Sequence, residues 1–154
     1  MDRTLIIAKP DAVQRGLIGE IIRRLENKGL KLIGMKMASL DETRLRSHYA
    51  EHVDKSFYAG LEAFMKSSPV VLMAWEGYEC IESVRTIVGV TNPRQAAPGS
   101  IRGDLAIGVG RNLIHASDSR KSGEREVDIF FDDDELFGYD KSEYMHLYES
   151  GERA

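Results

Sequence analysis

Four histidines are the side chains of widest chemical reach in this chain of 154 residues, and their settings differ. His48 and His52 stand four apart on a predicted helix, a spacing that can aim two metal ligands from one face. In His48-Tyr49-Ala50-Glu51-His52, however, the glutamate precedes the second histidine, whereas the helical zinc-hydrolase pattern needs it directly after the first; no third ligand stands out. The pair is expected as exposed helical histidines, and His146, between Tyr144 and Tyr148, as a surface residue. His115 is different, because it follows Leu113-Ile114 at the expected end of a strand, with Asn112, Ser117, Asp118 and Ser119 supplying hydrogen-bonding groups. Imidazole is largely neutral near pH 7 and has a lone pair, so such a histidine can act as a nucleophile without a second base. A histidine satisfied by its own strand is the competing reading.

Charge suggests what that nucleophile would serve. The chain carries −4 as a whole, but residues 85–125 balance to +4 and residues 126–154 to −8. Arg85, Arg94, Arg102 and Arg111 lie shortly before His115, and a guanidinium matches phosphate oxygens two at a time. There is no Walker-type loop, since Gly16-Leu17-Ile18-Gly19 lacks the Gly-Lys-Ser/Thr that should follow, and no GxGxxG opens a helix after a strand. Bound phosphates would therefore rest on side chains, with Lys9, Arg85 and Arg102 as candidates. Each is equally readable as an ordinary solvated charge.

These side chains need a scaffold, and the hydrophobic pattern outlines one. Thr4–Ala8 is a short apolar, β-branched run stopped by Lys9-Pro10-Asp11, a buried strand ending in a turn. Ile18, Ile21, Ile22 and Leu25 recur at helical spacing up to a stop at Gly29, predicting a helix over about residues 18–28. Leu30, Leu32, Met35 and Met37 alternate with Lys31, Gly34 and Lys36 and predict a strand with one solvated face. Asp41 as N-cap opens a helix through Tyr49, and a second runs from about Phe57 to Met65, giving a helical pair. Val70–Trp75 reads as a central strand buried on both faces, followed by an amphipathic helix bearing Ile81, Val84, Ile87 and Val88. Residues 89–103, with Pro93, Pro98 and three glycines, form a long loop of the kind that carries function. Leu113-Ile114 marks a last strand, and Val127, Ile129 and Phe130 a last helix. The order describes an α/β (α+β) sandwich of the ferredoxin-like βαββαβ type. In it a four-stranded antiparallel sheet carries two helices on one face, to which the helical pair and the long loop are added.

With 42% hydrophobic residues and no repeat or linker, residues 1–154 are expected as one domain, of which 132–154 is a distinct acidic segment. The net charge argues against a polybasic binder, and no specific nucleic acid is expected as a partner. Cys80 is the only cysteine, which excludes an internal disulfide and a Cys-rich metal site and suits a reducing compartment. The longest glycine-free apolar run, Val70–Trp75, is far short of the ~18 residues of a membrane span, and Leu5–Ala8 is too short for a signal segment. A soluble, unprocessed cytoplasmic protein with no membrane partner is expected.

Asn112-Leu113-Ile114-His115-Ala116-Ser117-Asp118 resembles the Asn-x-x-His-x-Ser-Asp signature of the nucleoside diphosphate kinase family. Further blocks stand in that family's order: Ile7-Ala8-Lys9-Pro10-Asp11-Ala12-Val13-Gln14-Arg15-Gly16, His48-Tyr49, Phe57-Tyr58-Ala59-Gly60-Leu61, Gly89-Val90-Thr91-Asn92-Pro93 and Pro98-Gly99-Ser100-Ile101-Arg102-Gly103-Asp104. The resemblance runs from residue 4 to about residue 130. It departs at Ser56, where many members have proline, at Tyr58, which replaces a second phenylalanine, and through the tail after Phe131.

The resemblance implies transfer of the γ-phosphate of a nucleoside triphosphate, typically ATP, to a nucleoside diphosphate. Transfer runs in two half-reactions through a phosphohistidine on His115, which maintains triphosphate pools. Glu126 matches the acidic residue that orients the histidine ring. Lys9 matches a contact to the transferred phosphate and the sugar hydroxyl, and Tyr49 lies beside the γ-phosphate. Arg85, Thr91 and Arg102 match phosphate contacts, and Asn112 a ribose contact. Phe57 matches the ring on which the base stacks and Val109 the apolar contact opposite, an arrangement tolerant of any base. The family uses Mg²⁺ held mainly through the nucleotide's phosphate oxygens, so no protein metal site is expected, and Asp132-Asp133-Asp134-Glu135 reads as a solvated helix entry. Members are hexamers, or tetramers in some bacteria; a homo-oligomer, a hexamer with Pro93 in its subunit-contacting loop, is expected. An RNA-binding module of the same fold would need an aromatic strand signature that is missing, and a histidine phosphatase an Arg-His-Gly motif that is absent. An inactive scaffold member is disfavoured by the intact His115, Lys9, Arg85, Arg102 and Asn112.

Overall fold

Thr4-Leu5-Ile6-Ile7-Ala8 sends apolar side chains to both sides of an extended backbone, so it must be covered on both faces. In the computed structural model, which describes residues 1–152, this run is the centre of β1 (Asp2–Ala8). There follow α1 (Pro10–Gln14), α2 (Ile18–Asn27), β2 (Lys31–Ala38), α3 (Glu42–His48), α4 (Tyr58–Lys66) and β3 (Val70–Gly77). The chain continues through α5 (Cys80–Val88), α6 (Ile101–Leu105), β4 (Ile114–Ala116) and α7 (Arg120–Phe130), with a short helical turn at Tyr144–Leu147. The sheet order is β2-β3-β1-β4 with every neighbour antiparallel, the ferredoxin-like arrangement expected from the sequence.

Both faces are covered. Ile6, Ala8, Met73 and Trp75 pack against Ile21 and Leu25 of α2 and Val84 and Val88 of α5. On the other face Leu5, Ile7, Leu72 and Ala74 meet Leu45 of α3, Phe64 and Met65 of α4, and Val127 and Phe130 of α7. The helical pair and α7 thus build a second layer. Each fully buried Leu, Ile or Phe contributes roughly 1.5–3 kcal/mol, so the site between these layers stands on a rigid base. Asp41 caps α3 as expected, accepting from the Arg44 N–H at 2.7 Å. Ser119 caps α7, accepting from the Ser122 N–H at 3.1 Å. A Cβ on Gly123 would stand 2.1 Å from the carbonyl oxygen of Arg3, so only glycine lets α7 lie this close to β1.

Two elements differ from the sequence expectation. In β2, Leu32 pairs with Trp75 and Gly34 with Ala74, leaving Ile33 as a bulge turned into the second core layer. Past the bulge Met35 and Met37 are 54% and 60% exposed, the reverse of the expected facing, while Lys31 is buried on an ion pair with Glu76 at 2.6 Å. Residues 89–103 are not one irregular loop. Asn92 caps a 3₁₀ turn over Pro93–Gln95, and Ser100 caps α6 by accepting from the Gly103 N–H at 3.1 Å. Both are too short for a hydrophobic period to reveal.

The acidic segment begins with a solvated 3₁₀ turn, Asp133–Glu135, closed by the Glu135 carboxylate on the Asp132 N–H at 2.9 Å. It then follows the β2 edge, with the Phe137 N–H on the Ile33 carbonyl at 2.7 Å and the Tyr139 hydroxyl on the Leu32 carbonyl at 2.8 Å. The last two residues of this segment, 153 and 154, lie outside the described residues. Among the described residues no helix is long and apolar enough to cross a membrane.

Candidate active site

β4 sets His115 opposite Ile7 of β1, and the backbone just before it is bent sharply. The Ile114 N–H donates to the Asn112 carbonyl at 2.9 Å across Leu113, whose φ is 71°, a γ-turn that a non-glycine residue adopts only under constraint. The constraint is visible. The Leu113 N–H donates to Asp11 Oδ2 at 3.0 Å, and its carbonyl accepts from the Lys9 N–H at 2.9 Å. Strain of about 1–3 kcal/mol is held there by the end of β1 and the first turn of α1.

The His115 ring is fixed from the other side. Nε2 lies 2.7 Å from Glu126 Oε2, and the same oxygen accepts from the Ser117 hydroxyl at 2.8 Å. Ser117 in turn accepts from the Leu5 N–H at 3.0 Å. The carboxylate therefore holds the proton on Nε2 and leaves the lone pair on Nδ1. Ser117, expected only as a hydrogen-bonding neighbour of His115, acts on it through this shared carboxylate; it stands two residues beyond His115, on the same side of an extended chain.

His115 opens into a cavity of about 430 Å³ walled by Lys9, Tyr49, Phe57, Arg85, Thr91, Arg102, Asn112 and Glu126, all expected from the sequence. His48, His52, Asp118 and Arg125 also line it. Val109 does not; it is exposed on the loop before β4. Nor does the whole arginine cluster converge: Arg94 points to solvent and Arg111 stacks on Phe64 at 3.8 Å. Lys9, Arg85, Arg102 and Arg125 outweigh Glu51, Asp118 and Glu126, so the cavity suits an anion.

Lys9 Nζ donates to Asn112 Oδ1 at 2.8 Å, and Asn112 Nδ2 to the Thr91 carbonyl at 3.1 Å, tying the end of β1 to the segment after α5. Burial, reinforced by the nearby Arg102 guanidinium, lowers the Lys9 pKa to about 8. Arg102 is buried and donates to three carbonyls, those of Asn112 at 3.2 Å, Gly89 at 2.9 Å and Ile114 at 2.5 Å. Of its five N–H groups two remain for a ligand. Burial, with Arg85 close by, lowers its pKa to about 10. Burial pushes the Tyr49 phenol up, so it stays protonated as a donor. Phe57, 54% exposed where α4 begins, stands at the mouth beside His52, with ring centroids 5.6 Å apart.

His48 corrects the sequence expectation of an exposed side chain. It is only 5% exposed, because α3 ends by turning its last residue inward, edge-on to His115 with centroids 4.5 Å apart and 5.4 Å from Phe130. Burial, with His115 next, lowers its pKa to about 2, so it is neutral. His146 is exposed as expected.

Comparison with known proteins places the whole chain in a family. Residues 2–136 match the family model described as nucleoside diphosphate kinase. The chain is 52% identical to a nucleoside diphosphate kinase of Archaeoglobus fulgidus and 53% to one of Methanoculleus marisnigri. Each alignment covers 97% of this chain, with 99% and 100% of the respective relative. Among solved structures, a halophilic nucleoside diphosphate kinase from Halobacterium salinarum in complex with CDP superposes with a TM-score of 0.94 at 49% identity, covering 97% of this chain and 100% of that one. A family protein from Babesia bovis reaches 0.93 at 43% identity, covering 96% and 100%. On family model, relatives and fold alike, the chain belongs to the nucleoside diphosphate kinase family.

Proposed function

We propose that this nucleoside diphosphate kinase carries the transferred phosphoryl group on Nδ1 of His115. In the first half-reaction the Nδ1 lone pair forms an N–P bond as the bond from the γ-phosphorus to its bridging oxygen breaks and the nucleoside diphosphate leaves. In the second, the terminal phosphate oxygen of another diphosphate attacks that phosphorus and the N–P bond breaks. The observation that carries this reading is the 2.7 Å contact of Nε2 with Glu126, which reserves the opposite nitrogen for phosphorus and stabilises the positive ring formed on attack.

The remaining wall supplies positioning and charge. Lys9 and the uncommitted N–H groups of Arg102, with Arg85, offset the phosphate oxygens, and the neutral Tyr49 hydroxyl donates beside the γ-phosphate. Thr91 and Asn112 hold the phosphate and ribose end, while Phe57 gives the base a π-face that makes no demand on its edge. Val109 is the residue proposed to close over the opposite face of the base.

The donor set fits Mg²⁺ carried in by the nucleotide. The wall offers few carboxylates, Glu51, Asp118 and Glu126, so an ion that prefers six oxygens finds most of its ligands on the phosphates. Bound there, the ion neutralises phosphate charge. The chain is read as a single domain of a cytoplasmic homo-oligomer, a hexamer with Pro93 at a subunit contact. The exposed Val90, Ile107 and Met37 are apolar surfaces that such an assembly would cover.

Incubation with γ-labelled ATP and Mg²⁺, followed by GDP, tests the mechanism. An acid-labile, alkali-stable label on the protein that passes to GDP, with both absent in His115→Ala, is the expected result. Transfer retained in His115→Ala overturns it.

A further inference from the structure

We propose that His48, His115 and Glu126 form a binding site for a first-row transition-metal ion such as Zn²⁺, separate from the Mg²⁺ that accompanies the nucleotide, and that an ion there blocks phosphorylation. One donor atom from each residue lies within 4.8 Å of the other two. Zn²⁺ ligands at about 2.0–2.2 Å stand roughly 3.3–3.6 Å apart around a tetrahedron, so a separation of 4.8 Å must close by about 1.2–1.5 Å while the 2.7 Å contact between His115 and Glu126 opens by somewhat less. Two imidazoles and one carboxylate, with a fourth position open to the cavity, make a donor set suited to zinc and foreign to Mg²⁺, which prefers six oxygens.

His48 carries the inference. It is 5% exposed, lines the cavity, and neither ring nitrogen has a hydrogen-bond partner among the described residues. Buried polar groups are otherwise almost always paired, and the phosphoryl transfer outlined above gives this ring nothing to do. It stands edge-on to His115, within reach of a shared ion. Glu126 already has the support typical of a metal-binding carboxylate, the Ser117 hydroxyl at 2.8 Å. Coordination through Nε2 of His115, the nitrogen that faces Glu126, moves the ring's one proton to Nδ1, so the lone pair that attacks phosphorus is no longer free. The blocking half of the inference rests on His115 being the nucleophile; the binding half does not.

The test uses the full chain, free of nucleotide and phosphate, titrated with Zn²⁺ in millimolar Mg²⁺ by calorimetry and by imidazole ¹⁵N NMR. One Zn²⁺ per chain, shifts in the ring nitrogens of both His48 and His115, and at least tenfold weaker binding in His48→Phe are expected. No binding at micromolar Zn²⁺, wild-type affinity in a folded His48→Phe, or shifts confined to His52 and His146 overturns the site. The wild-type ring shifts decide the matter if His48→Phe does not fold. Zn²⁺ bound at His48 and His115 with an unchanged rate of labelling from γ-labelled ATP overturns the blocking role and the nucleophile reading, while the metal site stands.

Discussion

Ser117 and His115 share one oxygen: the hydroxyl of the first and Nε2 of the second both meet Glu126 Oε2, at 2.8 and 2.7 Å. Because Ser117 also accepts from the Leu5 N–H, the carboxylate is anchored to the backbone of the central strand. Ser117→Ala leaves that N–H unpaired in the core. A loss of about 1–3 kcal/mol in stability is expected by denaturant unfolding, with a fall of roughly tenfold in the rate of enzyme phosphorylation. Glu126→Gln keeps the shape but not the charge; stopped-flow phosphorylation should slow by roughly 10²-fold or more with little loss of stability.

The lowered pKa of Lys9, about 8 against an ordinary 10.5, makes apo stability depend on pH. Below pH 8 folded and unfolded chains both carry the proton, and the full cost of a buried ammonium is present. Between about 8 and 10.5 the unfolded chain binds more protons, so stability rises with pH. Lys9→Met should therefore be more stable than wild type at pH 7, by about 1–3 kcal/mol in urea unfolding, with the advantage shrinking above pH 8. The same variant should be nearly inactive. Nucleotide phosphates restore the ordinary pKa, so calorimetry at pH 8 in two buffers should show uptake of up to about half a proton on binding.

Gly123 controls Glu126 from a distance. Gly123→Ala drives α7 off the Arg3 carbonyl and carries the carboxylate, one turn along, away from His115. Stability should fall by about 2–4 kcal/mol and kcat with it, whereas an exposed change such as Lys121→Ala should stay within about 0.5 kcal/mol of wild type. Thermal melts and steady-state assays on both variants check this.

Phe57→Ala removes a stacking platform worth about 1–3 kcal/mol per base. KM should rise roughly 5- to 100-fold for purine and pyrimidine diphosphates alike. A rise confined to one class would show that base edges are read.

Much of this was open to reading in the chain itself, for definite reasons. β1 and β3 are legible because unbroken apolar runs of that length bury both faces and have one solution. The facing of β2 is not, because the bulge at Ile33 is held by Phe137, more than a hundred residues away. Lys9, Arg102, Asn112 and His115 are legible as a set because motif blocks name them, and all four stand on the cavity wall. His48 is misread because its burial depends on α3 docking against β4 and α7, which helical periodicity does not report. Arg102 is read as a phosphate ligand but not as the brace of three carbonyls, since backbone acceptors leave no mark in sequence.

The kink at Leu113 settles when ordering entropy is lost. With both its N–H and its carbonyl pinned, the backbone beneath His115 is set as the chain folds, before any nucleotide arrives. No part of the ligand's affinity is then diverted into shaping it. A nucleophile mounted this way is a fixed post and not a swinging arm: donor and acceptor meet the same atom at the same coordinates. Turnover in either direction then passes through the same transition state, and its net direction is governed by which nucleotide is more abundant.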